Sequence, residues 1–386
     1  MVDSSAGAIL RTVLESGPVP RSVIATRAGL SPATVTWQTR ALVEAGLLTE
    51  LPETTRSQGI GRPYSPLALD ERNVVLAVHI AATRTTVAVV DITGELRSTV
   101  KVPHRTSAPY DILDDAAAEI ARVRAETTGR VLGLGVAIGG RVDRDSGTVL
   151  DHSYLRWHDV PVRRYLAART GLATELDSHT RALMHAEQLY GRLRGTKSSV
   201  VLFVGNVVDT AFAVQGQVHY GPNSAAGSIT RMLGIGVARA REDGESATVE
   251  RYSDHGLLRR ASECLPASEI HAAETVPDLI ESARRPGPAR DLFLERAAAM
   301  GRVAATLIDL LDPESVVIVD RGYGRVDGVE ATYLRTVGEF CVLCPDPAGV
   351  VGCSSFMGRV LEMAGAAVAL HGVFRTPLSV LERKAV

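Results

Sequence analysis

Along the first seventy residues the spacing of apolar and polar positions changes several times in quick succession. Residues 6–16, 20–28 and 31–46 predict three helices, separated by the breakers "SGPVP" and "AGLS". Ser31 stands where an N-cap oxygen is needed, Pro20 and Pro32 suit first-turn positions, and Gly46 marks a helix stop. The next stretch, "LLTELPETTRSQGIGRPYSPLALD", predicts two short strands around a polar, glycine-rich tip. Three short helices and a hairpin outline a winged helix-turn-helix over residues 1–70, with a junction around Asp70 to Asn73.

The pattern then becomes that of an α/β protein. "VVLAVHIAATRTTVAVVDITGEL" predicts a β-hairpin running into a third strand, residues 111–126 a helix, "VLGLGVAIGG" a buried strand and residues 179–190 another helix. "SVVLFVGNVVDTAFAVQGQVHYG" repeats the hairpin, and "AAAMGRVAATLIDLLDPESVVIVD" is a helix feeding a buried strand. Two similar beginnings predict a duplicated α/β fold over 73–386, with one lobe at about 73–185 plus the C-terminal helix and the other at about 186–360.

In the third helix, Val35, Thr39 and Leu42 fall on one face at 100° per residue. Ala33, Trp37 and Arg40 fall on the opposite face, flanked by Thr34 and Thr36, with Ser31 at the start. A small residue, hydroxyls, an indole and a guanidinium facing outward are the groups that reach base edges, thymine methyls and phosphates in a major groove. In the hairpin tip "GIGRP", Gly61 and Arg62 suit entry into a narrow minor groove. The competing reading of these residues is a small helical domain for protein contacts, with Trp37 in a dimer interface.

Composition narrows the setting. The 386 residues are 45% hydrophobic and 22% charged, with a net charge of −2, so no global field draws the chain to nucleic acid. Within residues 1–70, six arginines balance six acids, so DNA binding must rest on a few placed arginines and on dimerisation. No apolar run reaches the roughly 18 residues of a membrane span. The polar "MVDSSAGAILRTVLESG" is no secretory signal, and four cysteines make no disulfide framework. The cytoplasm is the expected location.

The segments "GLSPATVTWQTRALVEAGLL…GIGRP", "LGLGVAIGGRVD…GTVL", "RWHDVPV" and "MGRVAATLIDLLDPESVVIV" together resemble the ROK family of sugar-responsive repressors and sugar kinases, over nearly the whole chain. The resemblance implies a winged helix joined to a two-lobed, actin-like sugar kinase fold, in homodimers or homotetramers. It also implies where the kinase chemistry would sit, and there this chain departs from the pattern. An Asp-x-Gly-Gly-Thr turn is replaced by His79, Ile80, Ala81, Ala82 and Thr83. The second phosphate loop keeps Gly205 alone of its glycines and acquires Asp209. The Glu-Asn-Asp motif, whose Asp is the catalytic base, aligns with Asp177, Ser178 and His179; a shift of one or two residues would bring Asp177 into that role.

The family's zinc motif fails as well. Ser228 and Arg231 stand for its Glu and His, and no cysteine lies between Arg231 and Glu250, so neither metal nor cofactor is expected. Cys341 and Cys344 have metal-like spacing, with Cys353 nearby, but read more simply as small buried hydrophobes. Trp157 either packs at a cleft edge or fills core.

These observations predict a cytoplasmic, homo-oligomeric repressor that binds a double-stranded DNA operator and is not an enzyme. Its kinase-derived domain would sense a sugar or sugar phosphate through Gly139, Gly140, Ser178, His179, Ser228, Arg231 and Glu250. Two carboxylates disappear from the aligned positions and Arg231 adds a cation, with a second if His179 is protonated, which favours an anionic sugar. The rival readings are a working sugar kinase and a regulator with a vestigial pocket.

Overall fold

The computed structural model describes residues 4–52, 65–229, 249–266 and 275–382. The chain divides into two compact units, residues 1–190 with 361–386, and residues 191–360. The first begins with α1 (Ser5–Ser16), α2 (Arg21–Ala28) and α3 (Pro32–Glu44). Ser4 and Ser31 cap α1 and α3 by accepting the amides of Gly7 and Thr34, and Pro32 opens α3. Ile9, Leu10, Ile24, Val35, Leu42 and Leu47 have no exposed surface and make the core of this small domain. Strands β1 (Leu48–Glu50) and β2 (Leu67–Leu69) pair antiparallel, and Val19 bridges to Leu67. The expected tip with Gly61 and Arg62 lies outside the described residues.

A larger sheet follows. Strands β3 (Asn73–Ile80), β4 (Arg84–Asp91) and β5 (Leu96–Pro103) form an antiparallel meander. After α4 (Pro109–Glu126), β6 (Arg130–Ile138) joins parallel to β3. A separate three-stranded sheet comprises β7 (Arg141–Asp143), β8 (Thr148–His152) and β9 (Trp157–Val160). Then come α5 (Val162–Thr170), β10 (Thr174–Ser178), which pairs parallel to β6, and α6 (His179–Tyr190). Every residue of β3 is buried, as a central strand covered on both faces requires, whereas the edge strand β5 has no buried residue. Trp157 fills core: it is 1% exposed and its indole N–H donates to the Ser107 carbonyl at 2.8 Å.

The second unit repeats this plan. Strands β11 (Ser199–Val204), β12 (Val208–Val214) and β13 (Gln217–Val218) form the meander. A 3₁₀ turn (Val249–Tyr252), α7 (Asp254–Cys264), α8 (Val276–Ser282) and the long α9 (Pro288–Leu311) lead to β14 (Ser315–Asp320), parallel to β11. Helix α10 (Val329–Phe340) and α11 (Pro347–Val350) precede β15 (Val351–Cys353), parallel to β14. The strand orders β5-β4-β3-β6-β10 and β13-β12-β11-β14-β15 are thus one topology used twice. Finally α12 (Val360–Arg375) and α13 (Pro377–Glu382) return the chain to the first unit.

The core of the second unit contains a fully buried cation. Arg296 of α9 donates to both carboxylate oxygens of Asp320 and, at 2.9 Å, to Asp254, while the Tyr333 hydroxyl donates to Asp320 at 2.8 Å. Helix α9 is thereby fastened to the end of β14 and the start of α7. Removing one member of a buried ion network leaves uncompensated charge, at a cost of about 3–5 kcal/mol. Arg296→Met should therefore lower the unfolding free energy from denaturant titration by an amount of that order; an unchanged value would show that the network contributes nothing.

Candidate effector site and DNA-reading helix

Helix α3 separates its residues by face as its sequence predicts. Val35, Thr39 and Leu42 are buried, while Ser31, Ala33, Thr36, Trp37 and Arg40 are exposed and Thr34 is half-buried. Trp37 is 67% exposed, a large apolar surface left uncovered on a helix that already has a buried face. Arg21 of α2 donates to the Thr39 hydroxyl at 3.0 Å and pairs with Glu50 of β1, which fixes α3 against its neighbours. The Thr36 hydroxyl donates to the Pro32 carbonyl at 2.9 Å, leaving its methyl and lone pairs for an outside partner. Arg40 is held by Glu44 one turn later, Nε to carboxylate 2.8 Å, and this hydrogen bond raises its pKa. A phosphate at Arg40 would share the guanidinium with Glu44 or compete with it.

The first α/β unit brings together the residues that replace the kinase groups. Ser178 ends β10 and His179 begins α6, both buried, and β10 runs beside β6, which leads into Gly139 and Gly140. His179 stacks on His79 from the end of β3, with ring centroids 5.8 Å apart and planes 12° from parallel. His152, at the end of β8, joins them: the pKa of both other rings is lowered by it. Its Nδ1 accepts the Leu155 amide at 3.2 Å, so the proton of the neutral ring sits on Nε2. Gly140 has φ +84, and a Cβ there would lie 2.3 Å from the Asp151 carbonyl, so this glycine is required by the close approach of β8.

Burial decides the charge of this cluster. Desolvation pushes His152 down to about 4 and, helped by the neighbouring rings, lowers His79 to about 3 and holds His179 well below the ordinary histidine range. Burial thus disfavours a second cation at His179, which lies beside Arg181 and the other two rings. Neither ring nitrogen of His79 has a hydrogen-bond partner among the described residues, although the side chain is 4% exposed. Asp177 is equally committed. Its carboxylate accepts Arg181 Nε at 2.7 Å and the Ser178 amide at 2.7 Å, while Arg181 also donates to the Val142 carbonyl at 2.8 Å. Asp177 is thus the ion-pair partner of Arg181.

In the second unit Ser228 is exposed and its amide donates to the Ala225 carbonyl at 3.3 Å. Glu250 belongs to the 3₁₀ turn, and Arg231 lies outside the described residues. Gly205 accepts the Asp254 amide through its carbonyl at 2.7 Å, and the Asp209 carboxylate accepts the Thr210 amide at 2.9 Å. Cys344 is buried, but Cys353 is exposed and so is not the buried hydrophobe its apolar neighbours suggest. The Cys341 thiol donates to Asp309 at 3.0 Å, and among the described residues no cluster of His, Cys, Asp and Glu has metal-binding form. His152 and Arg181 were the members hidden in the sequence, since neither stands in a motif.

The family model described as "ROK family" matches residues 75–340, and one described as "Winged helix-turn-helix DNA-binding" matches residues 3–49. A transcriptional regulator of Mycobacterium tuberculosis (strain ATCC 25618 / H37Rv) is 33% identical over 407 residues, covering 99% of this chain and 88% of that protein. A xylose repressor of Caldicellulosiruptor bescii is 22% identical over 328 residues, covering 80% of this chain and 81% of that protein. Among solved structures, a ROK family transcriptional regulator homologous to the E. coli Mlc protein matches with a TM-score of 0.78 at 21% identity, over 98% of both chains. Residues 75–340 therefore carry the actin-like sugar kinase fold. No helix among the described residues is long and apolar enough to cross a membrane.

The buried histidines set a pH dependence. In the fold His79 and His152 stay neutral down to about 3 and about 4, against 6.5 when unperturbed. On acidification the unfolded chain binds protons first, so their contribution to stability is complete above pH 6.5 and declines as the pH falls. The thermal midpoint should drop between about pH 6.5 and pH 5, above the carboxylate range, and His79→Gln should flatten that slope. A midpoint that holds or rises over this interval contradicts the assignment.

Proposed function

The chain belongs to the ROK family and is a transcriptional regulator, and on that premise we propose that it is a repressor whose kinase-derived part senses a sugar or sugar phosphate without transferring phosphate. In this reading residues 1–70 read DNA, residues 73–386 bind the effector, and the protein works in the cytoplasm as a homodimer or homotetramer. The observation that carries it is the stacked, neutral pair His79 and His179 standing where the kinases of the family need carboxylates. A general base must hold the proton it removes, and burial, which holds His179 well below the ordinary histidine range, disfavours its doing so at the position of the family's base. Asp177, bound to Arg181, does not substitute for it.

Retention of a sugar is supported by the fold and by the sugar that the xylose repressor's name gives. Gly139, Gly140, Ser178 and His179 in the first unit, with Ser228, Arg231 and Glu250 in the second, are the proposed contacts. Because His179 is neutral, the case for an anionic effector rests on Arg231, whose planar fork matches a phosphate. Calorimetric titration with matched sugars and sugar phosphates should show one phosphorylated sugar binding more tightly than its neutral parent, and Arg231→Ala should abolish the difference. A coupled ATP assay over the same panel should show no turnover. Steady turnover would restore the kinase reading, and absence of any binding would leave a vestigial pocket.

The DNA role rests on the exposed face of α3 and on Arg62. Against a duplex selected from genomic DNA, Arg40→Ala should weaken binding at all sequences and reduce the salt slope by about one phosphate contact. Glu44→Gln, which frees Arg40, should strengthen binding and raise that slope. Arg62→Ala should lessen the preference for A·T-rich flanks. If Arg40→Ala instead relaxes discrimination at one base pair, Arg40 reads that base and the phosphate assignment is wrong.

A further inference from the structure

We infer that α12 couples the effector site to the DNA-reading domain by direct backbone contact inside the first unit, an inference that rests on the proposed reading of Ser178 and His179 as effector contacts. Three contacts converge on this one helix. At its beginning, Gly365 lies against the sheet: a Cβ there would be 2.8 Å from both the amide and the carbonyl of Val78, the residue before His79. From the sheet side, a Cβ on Gly135 of β6 would lie 2.2 Å from the Gly365 carbonyl, and β6 continues into Gly139 and Gly140. In its last turns, α12 meets α6, whose first residue is His179. His371 stacks on His185 with ring centroids 3.8 Å apart, and Phe374 meets the edge of Tyr190 at 6.2 Å.

The third contact is with the winged helix. The Arg375 carbonyl accepts the Ser4 amide at 3.1 Å and the Ser4 hydroxyl at 3.0 Å, while Ser4 caps α1. A Cβ on Gly7 of α1 would lie 2.5 Å from that carbonyl and 2.6 Å from the carbonyl of Phe374. The carbonyl end of α12 thus abuts the amide end of α1, a favourable meeting of helix dipoles. At its far side the winged helix is held again: the Asn73 side chain, at the start of β3, donates to the Gly46 carbonyl at 2.7 Å, and the Asp70 amide to Leu47 at 3.1 Å. The contacts of α12 with β3, β6 and α1 are made against the main chain and cannot be absorbed by a change of rotamer, so a displacement at His79 moves α12, and with it α1, while α6 is joined to α12 through the packed rings of His185 and Tyr190.

Hydrogen exchange of the full chain, with neither DNA nor sugar present, tests this. Gly7→Ala should raise exchange roughly threefold or more not only in α1 and at residues 371–375 but also in α6, with β11 of the second unit unchanged. Ser4→Ala should give the same distribution at smaller amplitude, which keeps the test sound if Gly7→Ala does not fold. From the other side, His185→Ala should raise exchange in α1. A rise confined to residues 4–16 and 371–376 in the first two variants, or an α1 untouched by His185→Ala, overturns the coupling. Because no ligand is present, that failure leaves the regulator reading standing, while failure of the titrations above leaves this coupling standing.

Discussion

The first unit depends on the absence of two side chains. Gly135 and Gly365 let α12 lie on β6 and β3 so closely that a methyl group on either would collide with main-chain atoms. A helix usually rests on a sheet through its side chains, which can repack and so loosen the link between them. Here the axis of α12 is fixed to the strands themselves. The placement of His371, Phe374 and the Arg375 carbonyl follows from that seat, and so does the position of α1. The winged helix is therefore part of the same compact unit as the larger sheet rather than a reader on a loose tether.

Burial then determines what chemistry this scaffold can do. The buried histidines and Asp177 of the first unit are either neutral or paired. His79, His152 and His179 are kept uncharged by desolvation, and Asp177 is neutralised by Arg181. The second unit uses charge for architecture in the same way, with Arg296 enclosed by Asp254 and Asp320 at the end of β14. Such arrangements hold a shape.

Features set by local chemistry could be read from the chain. Ser31 and Pro32 mark the start of α3, and the spacing of Val35, Thr39 and Leu42 identifies its buried face, because capping and periodicity act within a few residues. The duplicated meander was legible for the same reason, as alternation followed by an all-apolar strand. What escaped depends on contacts between distant residues. Nothing in "LDHSYLRW" shows that His152 will join His79, and no motif shows that Arg181 will take Asp177. The charge of His179 could not be read from the chain because desolvation is a property of the packed site, not of the residue. The seat of α12 was equally hidden, since a glycine within a helix announces neither its partner nor its distance.

Genome-wide occupancy of the full chain, compared with the Arg40→Ala variant, tests the central claim most directly. The account predicts discrete sites sharing a two-fold symmetric sequence, half-sites about one or a few helical turns apart, and marked loss of occupancy in the variant. Uniform occupancy without a shared sequence, or discrete sites equally filled by the variant, would contradict the claim that α3 of this chain reads DNA.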